Sequence, residues 1–456
     1  MLNDVQAYID SNEAAFIEDL KTILKFPSVS ADSKFKQDLL NCADWLKKHF
    51  EEIGLTAEII PTAGHPIVYA EWLGAPGAPT VLIYGHYDVQ PPDPLNLWTT
   101  PAFEPTIRDG KIYARGATDD KGQFLTHVKA VQSWMKVHGK LPVNVKFVIE
   151  GEEEVGSNNL DLFLEANKKK VACDVAVISD CPQYGPGLPA ITYGLRGMYA
   201  CEVTIHGPNR DLHSGAYGGS VANPATYLAH MLASLHDKQG KIQVAGFYDG
   251  VIPLDDDERT AYAALPFDEK TYLNDIGLKV GFGEPGFTTN ERRWARPTIE
   301  INGLYSGYIG EGPKTIVPSY AFAKITCRLV PGQTPHEVGR ALETHLRQQC
   351  SIAIRMDFKE YHGCEASLVD RHSPYMAAAK KAIKTGFGKE PLLIREGGTI
   401  PVVKTLKDML GVDTLLLGWG LNSDCLHSPN EHFTLADYQR GTKASAALFT
   451  ELAEKK

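Results

Sequence analysis

No two cysteines in this 456-residue sequence stand in a Cys-x-x-Cys pair. Cys42, Cys173, Cys181, Cys201, Cys327, Cys350, Cys364 and Cys425 are scattered singly, which excludes a zinc knuckle or thioredoxin-like redox motif and reads as reduced, buried thiols of a cytoplasmic protein. Nothing approaches the roughly 20 consecutive apolar residues that span a bilayer. The opening segment MLNDVQAYIDSNEAAFIEDL lacks a basic n-region and a long apolar core, so it reads as mature protein and not as a signal peptide. Positive charge is in deficit, with 46 Lys and Arg against 56 Asp and Glu and a net charge of −10, which disfavours nucleic acid and anionic membranes as partners. There is no internal repeat and no low-complexity tract. A composition of 43% hydrophobic and 22% charged residues excludes the disordered and fibrous classes, and the length allows two or three domains.

What is there is an alternation of apolar runs and helical patterns. Val81–Tyr84, Val143–Ile149 and Val175–Ile178 read as buried strands, Gly122–Trp134 as a helix, and Ser157 as the cap of a helix carrying Leu160, Phe163 and Leu164. The same style returns late, with a helix over Pro374–Ile383, a strand over Thr414–Leu417 and a closing helix over Leu435–Leu452. The middle differs. Gly197–Ile205 and Tyr320–Leu329 alternate as half-buried strands, Ala222–Leu235 and Pro335–Cys350 read as helices, and a further strand is expected over Ile352–Phe358. These patterns predict an α/β domain interrupted by a small α+β insert that takes in the hard-to-place stretch Gly240–Arg296.

Polar clusters follow the predicted strands at their carboxyl ends, where sites form in open α/β sheets. In Tyr84-Gly85-His86-Tyr87-Asp88 the extended backbone puts His86 and Asp88 on one side, as suits a metal-binding imidazole steadied by a carboxylate. Arg115-Gly116-Ala117-Thr118-Asp119-Asp120-Lys121-Gly122 reads equally as a solvated turn and cap, and the glutamates of Glu150-Gly151-Glu152-Glu153-Glu154 as an acidic first helical turn. Three successive acids after a buried strand repel one another unless water or cations relieve them. Ser179-Asp180 ends another strand, and Asn422 to Glu431 holds His427 in a loop. Together these supply two imidazoles and several carboxylates, a donor set for a pair of divalent ions with one carboxylate shared.

The segments HYDVQP, GATDDKG, EGEEEVGS, the strand end at Asp180, RDLHSG and HSPNE, in this order over nearly the whole chain, resemble the clan MH zinc exopeptidases. Within these the likeness is above all to carnosinase-like cytosolic nonspecific dipeptidases, on the extended forms YGHYDVQPPDPLNLW and REGGTIP, and more distantly to aminoacylase, succinyl-diaminopimelate desuccinylase and glutamate carboxypeptidase. The resemblance implies an α/β fold: a zinc-exopeptidase-like catalytic domain with a mixed sheet flanked by helices (residues 1–195 and 369–456) and an inserted α+β, ferredoxin-like lid and dimerisation domain (196–368). It implies His86, Asp119, Glu154, Asp180 and His427 as ligands of two divalent ions, zinc with manganese or cobalt as alternatives, and Asp119 as the bridge. Asp88 then steadies His86, and Glu153 is the general base, with Glu152 as the variable member of the triplet; a shift of register by one would exchange the roles of Glu153 and Glu154.

The mechanism this implies is attack on a peptide carbonyl by a hydroxide bridging the metals, with Glu153 taking the proton and returning it to the leaving amine. His213 and Thr315 resemble donors to the substrate carbonyl and terminus, Arg328 lies where a guanidinium fork holds the terminal carboxylate, and Thr399 stands where the family has a serine. In the resembling dipeptidases the histidine at His213 reaches the partner subunit's site, so a homodimer through the insert is expected, acting on dipeptides or small peptides. The same metal chemistry would serve an N-acyl-amino-acid amidohydrolase, which remains the alternative. A catalytically dead scaffold has no need of the intact Glu153 and ligand set.

Overall fold

The computed structural model describes residues 1–454. Its contacts divide the described residues into two units, one of residues 1–193, 369–394 and 405–454 and one of residues 194–368 and 395–404. The short segment 395–404 thus groups with the insert and not, as the sequence predicts, with the outer domain. No helix among the described residues is long and apolar enough to cross a membrane.

The first unit is built on a mixed sheet whose strands run in the order Thr56–Ile60, Ile67–Trp72, Asn144–Glu150, Thr80–His86, Val175–Ile178, Thr414–Leu417 and Ala190–Leu195. The four central strands, from Asn144–Glu150 to Thr414–Leu417, are mutually parallel, and the flanking pairs are antiparallel. Every residue of Asn144–Glu150, Val175–Ile178 and Thr414–Leu417 is buried, as expected of parallel strands covered on both faces. The helices Lys121–His138, Pro374–Phe387 and Leu435–Ala453 pack together and supply the cover. A small three-stranded sheet joins Thr106–Arg108, Lys111–Tyr113 and His432–Thr434, with His432 opposite Tyr113. That pairing carries the late His427 loop to the Asp119 loop.

The second unit holds a four-stranded antiparallel sheet in the order Thr298–Ser306, Tyr320–Leu329, Gly197–His206, Arg355–Cys364. With the helices Pro224–Ala233 and Pro335–Gln348 the chain order is β-α-β-β-α-β, a ferredoxin-like topology. Strict alternation of buried and half-buried residues along Gly197–His206 turns Tyr199, Cys201, Val203 and Ile205 into a core shared with Leu228, Met231, Leu342 and Leu346 of the two helices.

Three local expectations need correcting. The last strand of the insert is Arg355–Cys364 and not Ile352–Phe358, because Ser351–Ile354 forms a turn after the helix. Ser157 caps no helix: its φ is 52°, its hydroxyl donates to Glu150 Oε1 at 2.8 Å, and the helix Leu160–Ala166 begins after Asn159. The cysteines are unbridged, but Cys425 is exposed where a buried thiol was expected. The stretch Gly240–Arg296 contains the short helices Asp256–Ala263, Glu269–Asp275 and Thr289–Trp294, the first and last opened by capping boxes at Asp255/Glu258 and Thr288/Glu291.

Candidate metal centre

The parallel strands end together, and their carboxyl ends carry the polar clusters. His86 is the last residue of Thr80–His86, directly beside Glu150 at the end of the neighbouring strand. Its Nδ1 lies 3.1 Å from the Asp88 carbonyl oxygen and 3.4 Å from Asp88 Oδ1. Both are acceptors, which places the ring hydrogen on Nδ1 and leaves the Nε2 lone pair facing the cluster. Nε2 is 3.1 Å from Asp119 Oδ1 and 3.9 Å from Asp180 Oδ2. It is buried and makes no aligned hydrogen bond. A buried lone pair turned onto two carboxylates is an environment for a cation.

On the other side of Asp119, His427 Nε2 is 3.0 Å from Asp119 Oδ2 and 3.5 Å from Glu154 Oε2. Two groups of potential ligands result, His86–Asp119–Asp180 and Asp119–Glu154–His427, each with its donor atoms within 4.8 Å of one another. Asp119 belongs to both and offers a different oxygen to each histidine.

The loop that holds Asp119 is anchored by Glu431, which is fully buried. One of its carboxylate oxygens accepts from Gly116 N at 2.9 Å and Arg115 Nη1 at 2.7 Å, and the other from Thr118 N at 3.0 Å and Asp119 N at 3.1 Å. Gly122 is required where the loop enters its helix, since a Cβ there would sit 1.9 Å from the Ala117 carbonyl oxygen. The His427 loop is pinned by Asn430, whose side chain accepts from Thr99 N and donates to the Leu97 carbonyl oxygen, each at 2.8 Å.

Glu153 and Glu154 lie in a 3-10 turn whose first amides are taken by Asp88: Glu153 N donates to Oδ1 at 3.2 Å and Glu154 N to Oδ2 at 3.1 Å. One carboxylate therefore orients His86 and both glutamates. Gln90 Nε2 donates to Glu154 Oε2 at 2.8 Å, and Asn159 Nδ2 to Glu152 Oε2 at 2.7 Å. The triplet is thereby divided, with Glu154 among the metal-facing donors and Glu152 committed to Asn159. Behind the turn, Glu150 receives the hydroxyls of Tyr84 and Ser157.

Burial raises the Glu154 carboxyl to about 8 and Asp180 to about 7, in both cases reinforced by the nearby charge of Asp119. Burial raises Glu153 as well. Asp119 goes the other way: burial alone would raise it, but the imidazoles of His427 and His86 that face its two oxygens outweigh that and hold it below the usual carboxylate range. The Asp119 hydrogen bond in turn raises His427 to about 9. So many acids in one buried place call for positive charge, which two divalent ions would supply.

The remaining expected site residues lie in the second unit as two pairs. His213, exposed, ends a short strand paired with Ile316–Val317, and Ser214 N donates to the Thr315 carbonyl oxygen at 3.0 Å. His213 Nδ1 accepts from Gly215 N at 3.0 Å, which puts the hydrogen of the neutral ring on Nε2. The second pair is Arg328 and Thr399, with Arg328 Nη1 donating to Thr399 Oγ1 at 2.9 Å.

Sequence reasoning assigned no role to Glu431, Gln90 or Asn430. All three stand inside the motifs HSPNE and HYDVQP, so the signal available is a polar side chain beside a candidate ligand. Elsewhere in the first unit a cavity of about 650 Å³, lined by Phe35, Pro91, Trp98 and Phe103 among others, includes none of the metal-facing side chains.

The model of peptidase family M20/M25/M40 matches residues 82–451. The human Beta-Ala-His dipeptidase is 33% identical over an alignment covering 100% of this chain and 93% of that protein. A Cys-Gly metallodipeptidase of Schizosaccharomyces pombe is 30% identical, covering 99% of this chain and 98% of that one. Among solved structures, an M20 family metallo-carboxypeptidase from Sulfolobus solfataricus superposes with a TM-score of 0.85 at 32% identity, covering 96% of this chain and 99% of that one.

Proposed function

The chain belongs to peptidase family M20/M25/M40, and from that premise we infer that it is a di-metal dipeptidase of broad specificity. The observation that carries this reading is Asp119, whose two oxygens each face a different histidine. His86, Asp119 and Asp180 would hold one ion and Asp119, Glu154 and His427 the other, with zinc the best match to this mixture of imidazole and carboxylate. Such ions, when bound, supply a water of lowered pKa and a Lewis acid for the carbonyl oxygen.

The chain's own residues do the rest. Glu153, its amide fixed by Asp88 and its carboxyl raised by burial, accepts a proton from the attacking water and returns it to the leaving nitrogen. Asp88 keeps the His86 lone pair turned toward the cluster while holding the Glu153–Glu154 turn. His213, with its hydrogen on Nε2, is a donor for the substrate carbonyl oxygen, and Thr315 a donor to the substrate terminus. Arg328 takes the free C-terminal carboxylate, and Thr399 completes that subsite.

The working form is a homodimer through the insert, which serves as lid and dimerisation domain. Support comes from Thr298–Ser306, an edge strand of the four-stranded sheet that exposes Ile301 and Leu304, since an unpaired apolar edge invites a second copy. The eight unbridged cysteines favour a cytoplasmic location.

The test is a panel of free dipeptides, C-terminally amidated dipeptides and N-acyl amino acids assayed with metal-reconstituted protein. Turnover of free dipeptides is expected to exceed that of their C-terminal amides by some tens of fold, with the N-acyl amino acids left intact. Hydrolysis of the acyl amino acids with indifference to dipeptides would replace this reading with the amidohydrolase one.

A further inference from the structure

Thr399 occupies a loop that one residue, Arg196, ties down at three points. Arg196 N donates to the Glu396 carbonyl oxygen at 3.3 Å and its Nε to the Gly397 carbonyl oxygen at 3.2 Å, while Thr399 Oγ1 donates to the Arg196 carbonyl oxygen at 2.6 Å. The loop lies so close that a Cβ on Gly397 would come within 2.8 Å of Arg196 Nη2 and 3.0 Å of the Arg293 carbonyl oxygen. On its other side the same Thr399 hydroxyl accepts from Arg328 Nη1 at 2.9 Å.

A hydroxyl has one hydrogen and two lone pairs. The Thr399 hydrogen is committed to the Arg196 carbonyl and one lone pair to Arg328, so what remains is a single acceptor site. A carboxylate only accepts, so it can take nothing from this hydroxyl. Direct donation to a substrate carboxylate is therefore not what the geometry provides.

We propose that Thr399 is a positioning residue: its hydroxyl, locked by the Arg196 carbonyl, holds the Arg328 guanidinium in the orientation that receives a free C-terminal carboxylate. The need for such a brace is electrostatic. Arg196, largely buried, feels the like charges of Arg328 and Arg293, which Glu300 and Glu396 offset in part, so a hydrogen bond that fixes the Arg328 guanidinium works against that repulsion. The methyl of threonine adds stiffness at χ1 that serine lacks, so the hydroxyl keeps both partners without searching rotamers. The proposal rests on the assignment of Arg328 to the terminal carboxylate and extends it to the residue on which that contact depends.

The experiment compares Thr399→Val, which keeps the shape and removes the hydroxyl, with Thr399→Ser, Arg328→Ala and the double variant Thr399→Val/Arg328→Ala. Each is assayed in the full-length, metal-loaded enzyme on a dipeptide and on its C-terminal amide, with thermal melts to confirm folding and Thr399→Ala in reserve should the valine variant not fold. Thr399→Val is expected to raise KM for the free dipeptide about tenfold, the usual worth of one hydrogen bond to a charged group. Its kcat should change little, the amide should be unaffected, and Thr399→Ser should recover most of the lost KM. In the Arg328→Ala background the valine should cost nothing further, because the group it positions is gone. An equal cost in that background, or an equal cost on the amide, would overturn the positioning role. If instead the unmodified enzyme cleaves the amide as well as the free dipeptide, or Arg328→Ala leaves KM unchanged, the carboxylate assignment fails first and the proposal falls with it.

Discussion

The two halves of the proposed machinery are held in different ways. In the first unit the metal-facing residues are gripped by buried carboxylates that accept backbone N–H groups: Asp88 takes two amides of the Glu153 turn, and Glu431 takes three of the Asp119 loop together with Arg115. In the second unit His213 and Thr315 are exposed and Arg328 and Thr399 half-buried, with His213 accepting one backbone amide and the Thr399 hydroxyl bonding Arg328 and the Arg196 carbonyl. Bond-breaking chemistry tolerates little displacement of its groups, whereas recognition of varied peptides requires side chains that substrate can reach. The contrast predicts that damage to the first unit appears in kcat, metal retention and stability, and damage to the Arg328–Thr399 pair of the second in KM.

The sharpest break of that contrast is at Glu153. Glu153→Gln should lower kcat by roughly a thousandfold while the ions stay bound, because proton transfer is lost and no ligand is. If Glu154→Gln gave that phenotype and Glu153→Gln lost metal, the assignments within the glutamate triplet would be reversed. Next is Glu431→Gln, which leaves the buried Arg115 without its counter-charge and turns an amide NH₂ toward N–H donors. It should cost about 3 kcal/mol or more in urea unfolding, the usual penalty for breaking a buried ion pair, and weaken metal binding with it. An unchanged midpoint would show that the Asp119 loop needs no such anchor.

On the other side of the comparison, Arg328→Ala should raise KM for free dipeptides by some tens of fold, about 2 kcal/mol, with metal content and kcat nearly intact. A loss confined to kcat would erase the distinction between the two halves.

The smallest effect concerns His127, buried beneath the site with its Nε2 2.7 Å from Ser179 Oγ. Burial lowers its pKa from 6.5 to about 3. Its folded value is depressed, so the unfolded chain binds the extra proton: the stability it contributes is present above 6.5 and falls away as pH drops from there toward 3. Between pH 7 and 5 this is worth about 2 kcal/mol, and a His127→Gln variant should lose correspondingly less stability than the unmodified protein over that interval. Equal losses in the two proteins would mean that His127 takes up its proton as readily in the fold as in the unfolded chain.

How much of this was legible in the sequence follows from range and burial. Val81–Tyr84, Val175–Ile178 and Thr414–Leu417 were readable as continuous apolar runs because parallel strands are buried on both faces. Their ends brought the candidate ligands with them. Thr298–Ser306 was not, since its exposed residues and the irregularity between Ile301 and Gly303 destroy the period of two. The helices within Gly240–Arg296 are set by local capping boxes more than by an apolar face, and so had no periodicity to find. Ser157 looked like a helix cap, but its hydroxyl serves Glu150 instead. Glu431 was present in a recognised motif without a role, for its amide partners lie more than 300 positions earlier and only the pairing of His432 with Tyr113 brings them near.

The claim on which all of this turns is that Asp119 is shared by two ions. It is tested most directly by adding zinc in steps to chelator-stripped protein, following bound metal by elemental analysis and activity on a free dipeptide in the same samples. The account predicts saturation at two ions per chain, with full activity reached only as the second site fills. Full activity at one tightly bound ion per chain would contradict it.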